Sequence, residues 1–319
     1  MNIRRLFSHC SPVDVVSITF LLFLVALNLL FLSRVEAWAM LVGINLAVAA
    51  GILVLAHFAE TKRTKLLIGL HRWYCYPFVI FVFKELYLMV RPIHPIDYDA
   101  LLIRIDHALF GVNPTQWLGQ FAHPVLTEVF QVAYFSYYLL FIILGMEIYR
   151  RFAIEEFDKA AFLIVYGFYL SYLGYFLLPA VGPRFTLHEF AQMDTELPGL
   201  FLTQVLRDFI NAAESIPKNH PNPIEVVQRD VFPSGHTQMT LIVTFLAFRY
   251  KLKARWLLTS LAVLLVIGTV YLRYHYVIDL IAGAAFTWLT FWSGDRIEAW
   301  WSTRMRAGGG SLETQRNSP

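Results

Sequence analysis

Charged residues make up only 15% of this 319-residue chain, against about 25% in an ordinary soluble domain. That shortage, with 57% hydrophobic and 16% aromatic residues and a mean hydropathy of +0.54, excludes a water-soluble globule and indicates an integral membrane protein. Only Cys10 and Cys75 are present, too few for a disulfide framework, and both read as structural thiols. No glycine-rich loop leads into a lysine, which argues against a nucleotide-binding P-loop. No basic stretch is interleaved with aromatics, so no nucleic acid partner is expected. No internal repeat is visible. The first 12 residues lack the small-residue cleavage site of a secretory signal, and the run at 15–33 is expected to stay as an anchor.

What is present is a series of long apolar runs. A helix needs about 20 mostly apolar residues to cross the hydrocarbon core, and eight runs qualify: 15–33, 37–59, 73–90, 125–146, 160–178, 232–248, 256–272 and 276–293. Without polar alternation these read as helices rather than barrel strands. The expected fold is therefore all-α, a polytopic transmembrane helix bundle of about eight spans.

Orientation follows from the distribution of Lys and Arg. The face holding both termini would carry Arg4, Arg5, Lys62, Arg63, Lys65, Arg72, Arg150, Arg151, Lys159, Arg249, Lys251, Lys253, Arg255, Arg296, Arg304, Arg306 and Arg316. The opposite face would carry Arg34, Lys84, Arg91, Arg104, Arg184, Arg207, Lys218, Arg229 and Arg273. The imbalance predicts cytoplasmic termini and an extracytoplasmic opposite face; the membrane expected is a bacterial inner membrane.

The chemistry-bearing residues gather on that opposite face. Lys84 and Arg91 are seven residues apart, two helical turns, and so share one helix face next to Pro92. On their own they read as basic side chains snorkelling to headgroups. Pro233, Ser234, Gly235 and His236 open the sixth run, where bare backbone N–H groups and the positive helix end favour an anion, and glycine allows its close approach. The plainer reading of Ser234 as an N-cap leaves His236 unexplained. His275 and Asp279 are at i and i+4, neighbours on a helix face. A carboxylate on one ring nitrogen would fix the tautomer and leave the other as a nucleophile, and an ionisable pair in an apolar helix is functional by default. A structural His–Asp hydrogen bond is the competing reading.

In this order the residues resemble the type 2 phosphatidic acid phosphatase (PAP2) superfamily. Lys84 with Arg91 and Pro92 meets the first motif of that family, Pro233 to His236 meets the second, and His275 with Asp279 meets the last part of the third. The serine and arginine that begin the third motif would fall at Gly268 and Thr269, so another cation must replace the arginine. Arg273 and Arg184 are the candidates, and Arg184 is favoured because the run from Pro179 to Phe185 would hold it in a stiff turn. This Gly-Pro-Arg segment, the missing arginine and the stretch from Ile105 to Gly111 resemble the branch of inositol phosphorylceramide synthases and their bacterial relatives. Gly235 departs from the fungal members of that branch.

The resemblance implies a mechanism. Lys84, Arg91, Ser234, Gly235 and Arg184 or Arg273 would clamp a phosphate; His275, oriented by Asp279, would attack phosphorus to give a phosphohistidine; His236 would protonate the leaving group. No metal or other cofactor is implied, since the two histidines lack the ligand cluster of a divalent site. The expected partners are a phospholipid or other lipid phosphate and the bilayer; oligomeric state leaves no signal in the chain. The activity expected is a lipid phosphatase or phosphotransferase, with an inositol-phosphorylceramide-synthase-like transfer to a lipid alcohol as one alternative and a non-catalytic lipid-binding or lipid-moving member as another. The expected organisation is a two-span extension over 1–72, a catalytic membrane domain over 73–296 and a largely disordered cytoplasmic tail over 297–319. His94, Asp97, Asp99, Asp106, His107 and His123 are expected to be interfacial caps and headgroup contacts. The loop at 184–231, with an amphipathic segment at 200–213, is expected to form a lid on the membrane surface, and Tyr166, Tyr169, Tyr172 and Tyr175 to serve packing.

Overall fold

A computed structural model describes residues 9–316. Arg4 and Arg5, and the last three residues of the expected tail, lie outside the described residues. Among those described the chain is all-helical, with no strand. The principal helices are α1 (Pro12–Leu30), α2 (Trp38–Lys62), α3 (Lys65–Trp73), α4 (Cys75–Ile93), α5 (Asp99–Phe110), α6 (Pro124–Phe135), α7 (Tyr137–Arg151), α8 (Ile154–Leu177), α9 (Thr203–Ala213), α10 (Gly235–Arg249), α11 (Arg255–Tyr271) and α12 (Val277–Arg316).

Among the described residues five stretches are long and apolar enough to cross a membrane: α1, α2, α3 with α4 over Lys65–Ile93, α8, and Val277–Trp301 of α12. A sixth arises if α6 and α7, which meet at a 47° bend, form one span. Two of the eight expected runs yield shorter helices. Pro233 and the N-cap Ser234 delay the start of α10, which has 15 residues, and α11 has 17; at 1.5 Å per residue these rise only about 22–26 Å, short of a full hydrocarbon core of about 30 Å.

The chain divides into two compact units, one of residues Met1–Phe81, Phe152–Tyr166 and Trp288–Pro319, the other of Val82–Arg151 and Gly167–Thr287. In the first, α1 opens with a capping box in which the Ser11 and Asp14 side chains each accept from the other's backbone N–H. Asp14 is fully buried and is compensated by the Tyr74 hydroxyl at 2.8 Å and the His71 Nε2 at 2.8 Å, as a buried charge requires. Cys10 and Cys75 are free and buried.

The second unit carries every candidate site residue. Its α11 packs on α6 so closely that a Cβ on Gly268 would lie 3.2 Å from Phe130 Cβ, while Phe130 and Tyr271 pack ring to ring at 5.0 Å. Thr269 is fully buried, and its carbonyl accepts the N–H groups of Tyr274 and His275 at 2.9 and 3.1 Å. The closeness of Phe130 favours glycine at 268.

Asp99 and Asp106 on α5, expected to be interfacial caps and headgroup contacts, are buried and bind backbone N–H groups instead of facing headgroups. Asp99 accepts from the Val181 N–H (3.0 Å), the Gly182 N–H (2.8 Å) and the Tyr276 hydroxyl (2.7 Å). Asp106 accepts from the Val277 and Ile278 N–H groups, both at 2.8 Å, and so satisfies the first bare donors of α12. Together they secure the turn before Arg184 and the helix start after His275. Gly182, at φ 97, supplies the backbone conformation that this turn needs.

Candidate active site

Ser234 is the N-cap of α10, its hydroxyl accepting from the Thr237 N–H at 3.2 Å. Its own N–H donates to the Asp279 carbonyl at 3.0 Å, and a Cβ on Gly283 would sit 2.6 Å from the Ser234 carbonyl. The Pro-Ser-Gly-His segment and the His-Asp segment are thus in direct contact. At Gly235 the reason for glycine is the Tyr175 hydroxyl, 2.5 Å from where a Cβ would stand.

The two histidines meet. His275 Nε2 lies 3.4 Å from His236 Nδ1. On its other side His275 Nδ1 donates to the Val231 carbonyl at 3.0 Å, with Asp279 Oδ2 at 3.4 Å. A carbonyl can only accept, so the proton resides on Nδ1 and the Nε2 lone pair faces His236. Asp279 divides its attention: Oδ2 also accepts the Tyr276 N–H at 2.8 Å, and Oδ1 is buried without a hydrogen-bond partner. The Val231 carbonyl is therefore the nearer orienting group. Burial lowers the pKa of His275 to about 4, opposed by the Asp230 carboxylate and the Val231 carbonyl and assisted by Arg184, so the ring is neutral at ordinary pH.

His236 stands against two tyrosines, Tyr134 at 4.5 Å and Tyr137 at 4.4 Å between ring centroids, and the Tyr134 hydroxyl reaches its Nδ1 at 3.4 Å. Tyr274 stacks on the Tyr134 ring at 4.5 Å. No motif pointed to these tyrosines, because an aromatic in an apolar run looks like packing.

The cations converge on the 184–231 loop. Lys84 donates to the Ala213 carbonyl, to the Ser215 hydroxyl at 3.2 Å and to Gln228 Oε1 at 3.4 Å. Arg91, two turns on, donates to the Glu225 carbonyl. Arg184 is buried, pairs with Glu214, donates to Asn211 Oδ1 at 3.1 Å and lies over the Tyr274 ring at 4.9 Å. Arg273 is also buried but pairs with Glu196. The charge of Arg184 reaches His275, whereas that of Arg273 acts on His188. Of the two candidate replacement cations, Arg184 is the one whose charge bears on His275.

Asp230 is a further residue that the sequence motifs missed. It precedes Val231, and burial pushes its pKa up against the opposing influence of the basic groups of His275, Arg184 and Lys84. Its position four residues before Ser234 was the only available signal. A cavity of about 1020 Å³ borders Arg184 and Tyr274 and is lined further by Phe185, Phe190, Gln204 and Asn211, at the upper end of the volumes that hold small molecules.

The family model described as the PAP2 superfamily matches residues 100–293, more than half of the chain and all of the segment from the Asp106 clamp through the histidine pair. This chain belongs to the PAP2 superfamily. No curated protein and no solved structure matched it. Membership in the PAP2 superfamily indicates a membrane enzyme of the lipid phosphatase type, and the match takes in Arg184, Ser234, Gly235, His236, Arg273, His275 and Asp279 while beginning after Lys84 and Arg91.

Proposed function

We propose that this chain is a membrane-embedded lipid phosphatase or phosphotransferase that works through a phosphohistidine at His275. The observation that carries the reading is the pair of histidines, with His275 Nε2 3.4 Å from His236 Nδ1 and the far nitrogen of the buried His275 engaged by Val231. In the first step the Nε2 lone pair forms a bond to phosphorus as the bond to the leaving oxygen breaks, and His236 gives that oxygen its proton. In the second, water or an alcohol attacks phosphorus, His236 takes the proton, and the P–N bond breaks.

Lys84, Arg91, Ser234, the Gly235 amide and Arg184, with Arg273 as the alternative cation, bind the phosphate. The contacts that Lys84, Arg91 and Arg184 make with the 184–231 loop mark where phosphate oxygens exchange for loop carbonyls and carboxylates. Catalysis is then mainly positioning and neutralising spread negative charge. The chain crosses the membrane eight times, α10 and α11 being short crossings, with cytoplasmic termini and the site on the extracytoplasmic side of a bacterial inner membrane. The Gly182-Pro183-Arg184 turn and the absence of arginine at 269 favour, as the second reading, transfer of a phospho-headgroup to a lipid alcohol.

The test is to incubate purified protein with a panel of phosphorus-labelled phospholipids, with and without candidate alcohols, and to compare wild type with His275→Ala. Release of labelled phosphate supports the phosphatase, and a new labelled lipid supports the transferase. Equal binding of lipid by both proteins without turnover in either would instead mark a non-catalytic member.

A further inference from the structure

Among the described residues the most exposed large apolar side chain is Phe201, at 86%. It belongs to the 184–231 loop, just before α9. That helix has three distinct faces. Thr203, Arg207 and Ile210 point inward and are buried; Gln204 and Asp208 line the cavity beside Arg184; Leu202, Val205 (65% exposed) and Phe209 form an outward apolar stripe at i, i+3 and i+7. A stripe of this kind facing water would be a liability.

One carboxylate makes sense of it. Glu128 of α6 accepts from four successive backbone N–H groups, Leu200 at 2.9 Å, Phe201 at 3.3 Å, Leu202 at 2.7 Å and Thr203 at 3.1 Å, and from the Thr203 hydroxyl at 2.6 Å. The donors before and at the start of a helix have no partner within it. Water would serve them on an aqueous surface, but in hydrocarbon each needs an internal acceptor, and Glu128 is that acceptor.

The stripe also continues a lipid-facing surface. Val125, Val129 and Val132 are exposed along one face of α6 at i, i+4 and i+7, on the first half of the bent candidate span. The two helices run side by side in the same sense, Thr203 beside Glu128 and Phe209 edge-on to Phe135 at 5.3 Å. We propose that residues 200–209 form a wedge immersed in the acyl chains of the leaflet on the site's side of the membrane, pinned there by Glu128. The occupant of this surface is lipid, and the assignment holds whether or not the proposed reaction is correct. At the other end of α9, Asn211 and Glu214 hold Arg184, so the depth of the wedge also sets where that cation stands.

The test uses the full chain in lipid nanodiscs with a nitroxide at Phe201→Cys, Val205→Cys or Gln204→Cys. Cys10 and Cys75 are buried and stay unlabelled. Collision rates are compared for oxygen, which concentrates in acyl chains, and a nickel chelate, which stays in water. Oxygen is expected to dominate at 201 and 205 and nickel at 204; nickel dominating at 201 and 205 would overturn the proposal. Adding Glu128→Gln to the Phe201→Cys protein should lower its oxygen-to-nickel ratio several-fold, and an unchanged ratio would refute the pin. If the Glu128 variant fails to fold, Thr203→Val, which removes one of the five donors, should lower the ratio to a smaller degree, with no change again refuting the pin. The readout requires no turnover, so an inactive protein that passes it separates the wedge from the proposed function.

Discussion

Removing the Asp106 carboxylate tests whether it is a clamp on the active-site helix or a headgroup contact. Its two oxygens accept the Val277 and Ile278 N–H groups at 2.8 Å each from a nearly inaccessible position. Asp106→Ala leaves both donors without an acceptor in a buried place, at about 1–3 kcal/mol each, so the folded state should lose about 2–6 kcal/mol. Asp106→Asn keeps one acceptor oxygen and should lose roughly half of that. The damage falls two residues beyond His275, so the ring should shift as the helix start relaxes, and a displacement near 1 Å costs about 10²-fold in rate. The assay is thermal unfolding of purified protein in detergent alongside kcat on a labelled lipid phosphate. A clamp predicts lower thermal stability and lower kcat in the order Ala below Asn below wild type, with KM little changed. Unchanged stability with a raised KM would refute the clamp and restore the headgroup reading.

With His275 lowered to about 4, the proposed nucleophile is free above that value, so kcat/KM should rise as pH passes upward through about 4, as a pH–rate profile would show; an acidic limb near 6.5 would refute the burial argument. Because the folded ring titrates below its unfolded value of 6.5, the unfolded chain alone takes up the proton between those values. Stability should therefore fall as pH drops from about 6.5 to 4 and level off below, measurable by thermal unfolding across that window. Arg184→Ala should cost about 10²-fold or more in kcat/KM and Arg273→Ala much less; the reverse order would make Arg273 the replacement cation. Gly235→Ala drives a methyl group to 2.5 Å from the Tyr175 hydroxyl, a packing cost of about 1–3 kcal/mol, and adding Tyr175→Phe should recover stability if that contact is the cause.

Local pattern carried the helical class and the pairing of chemistry. Long apolar runs without alternation can only be helices in lipid, and the spacing of His275 and Asp279 brought them within 3.4 Å. The number of full-length crossings was less accessible, because apolar composition does not mark where a cap begins a helix: Ser234 starts α10 late and leaves it short. Residues that act across the fold left no local mark. Asp99, Asp106 and Glu128 each bind backbone groups more than 70 positions away, and a lone carboxylate in a loop or apolar run looks the same whether it faces headgroups or a distant helix end. The same holds for Val231, whose carbonyl rather than a side chain is nearest to His275. Periodicity encodes which neighbours share a face, whereas contacts between distant segments arise only when the helices pack, and that packing put Arg184 against Glu214 and Tyr274 and Arg273 against Glu196.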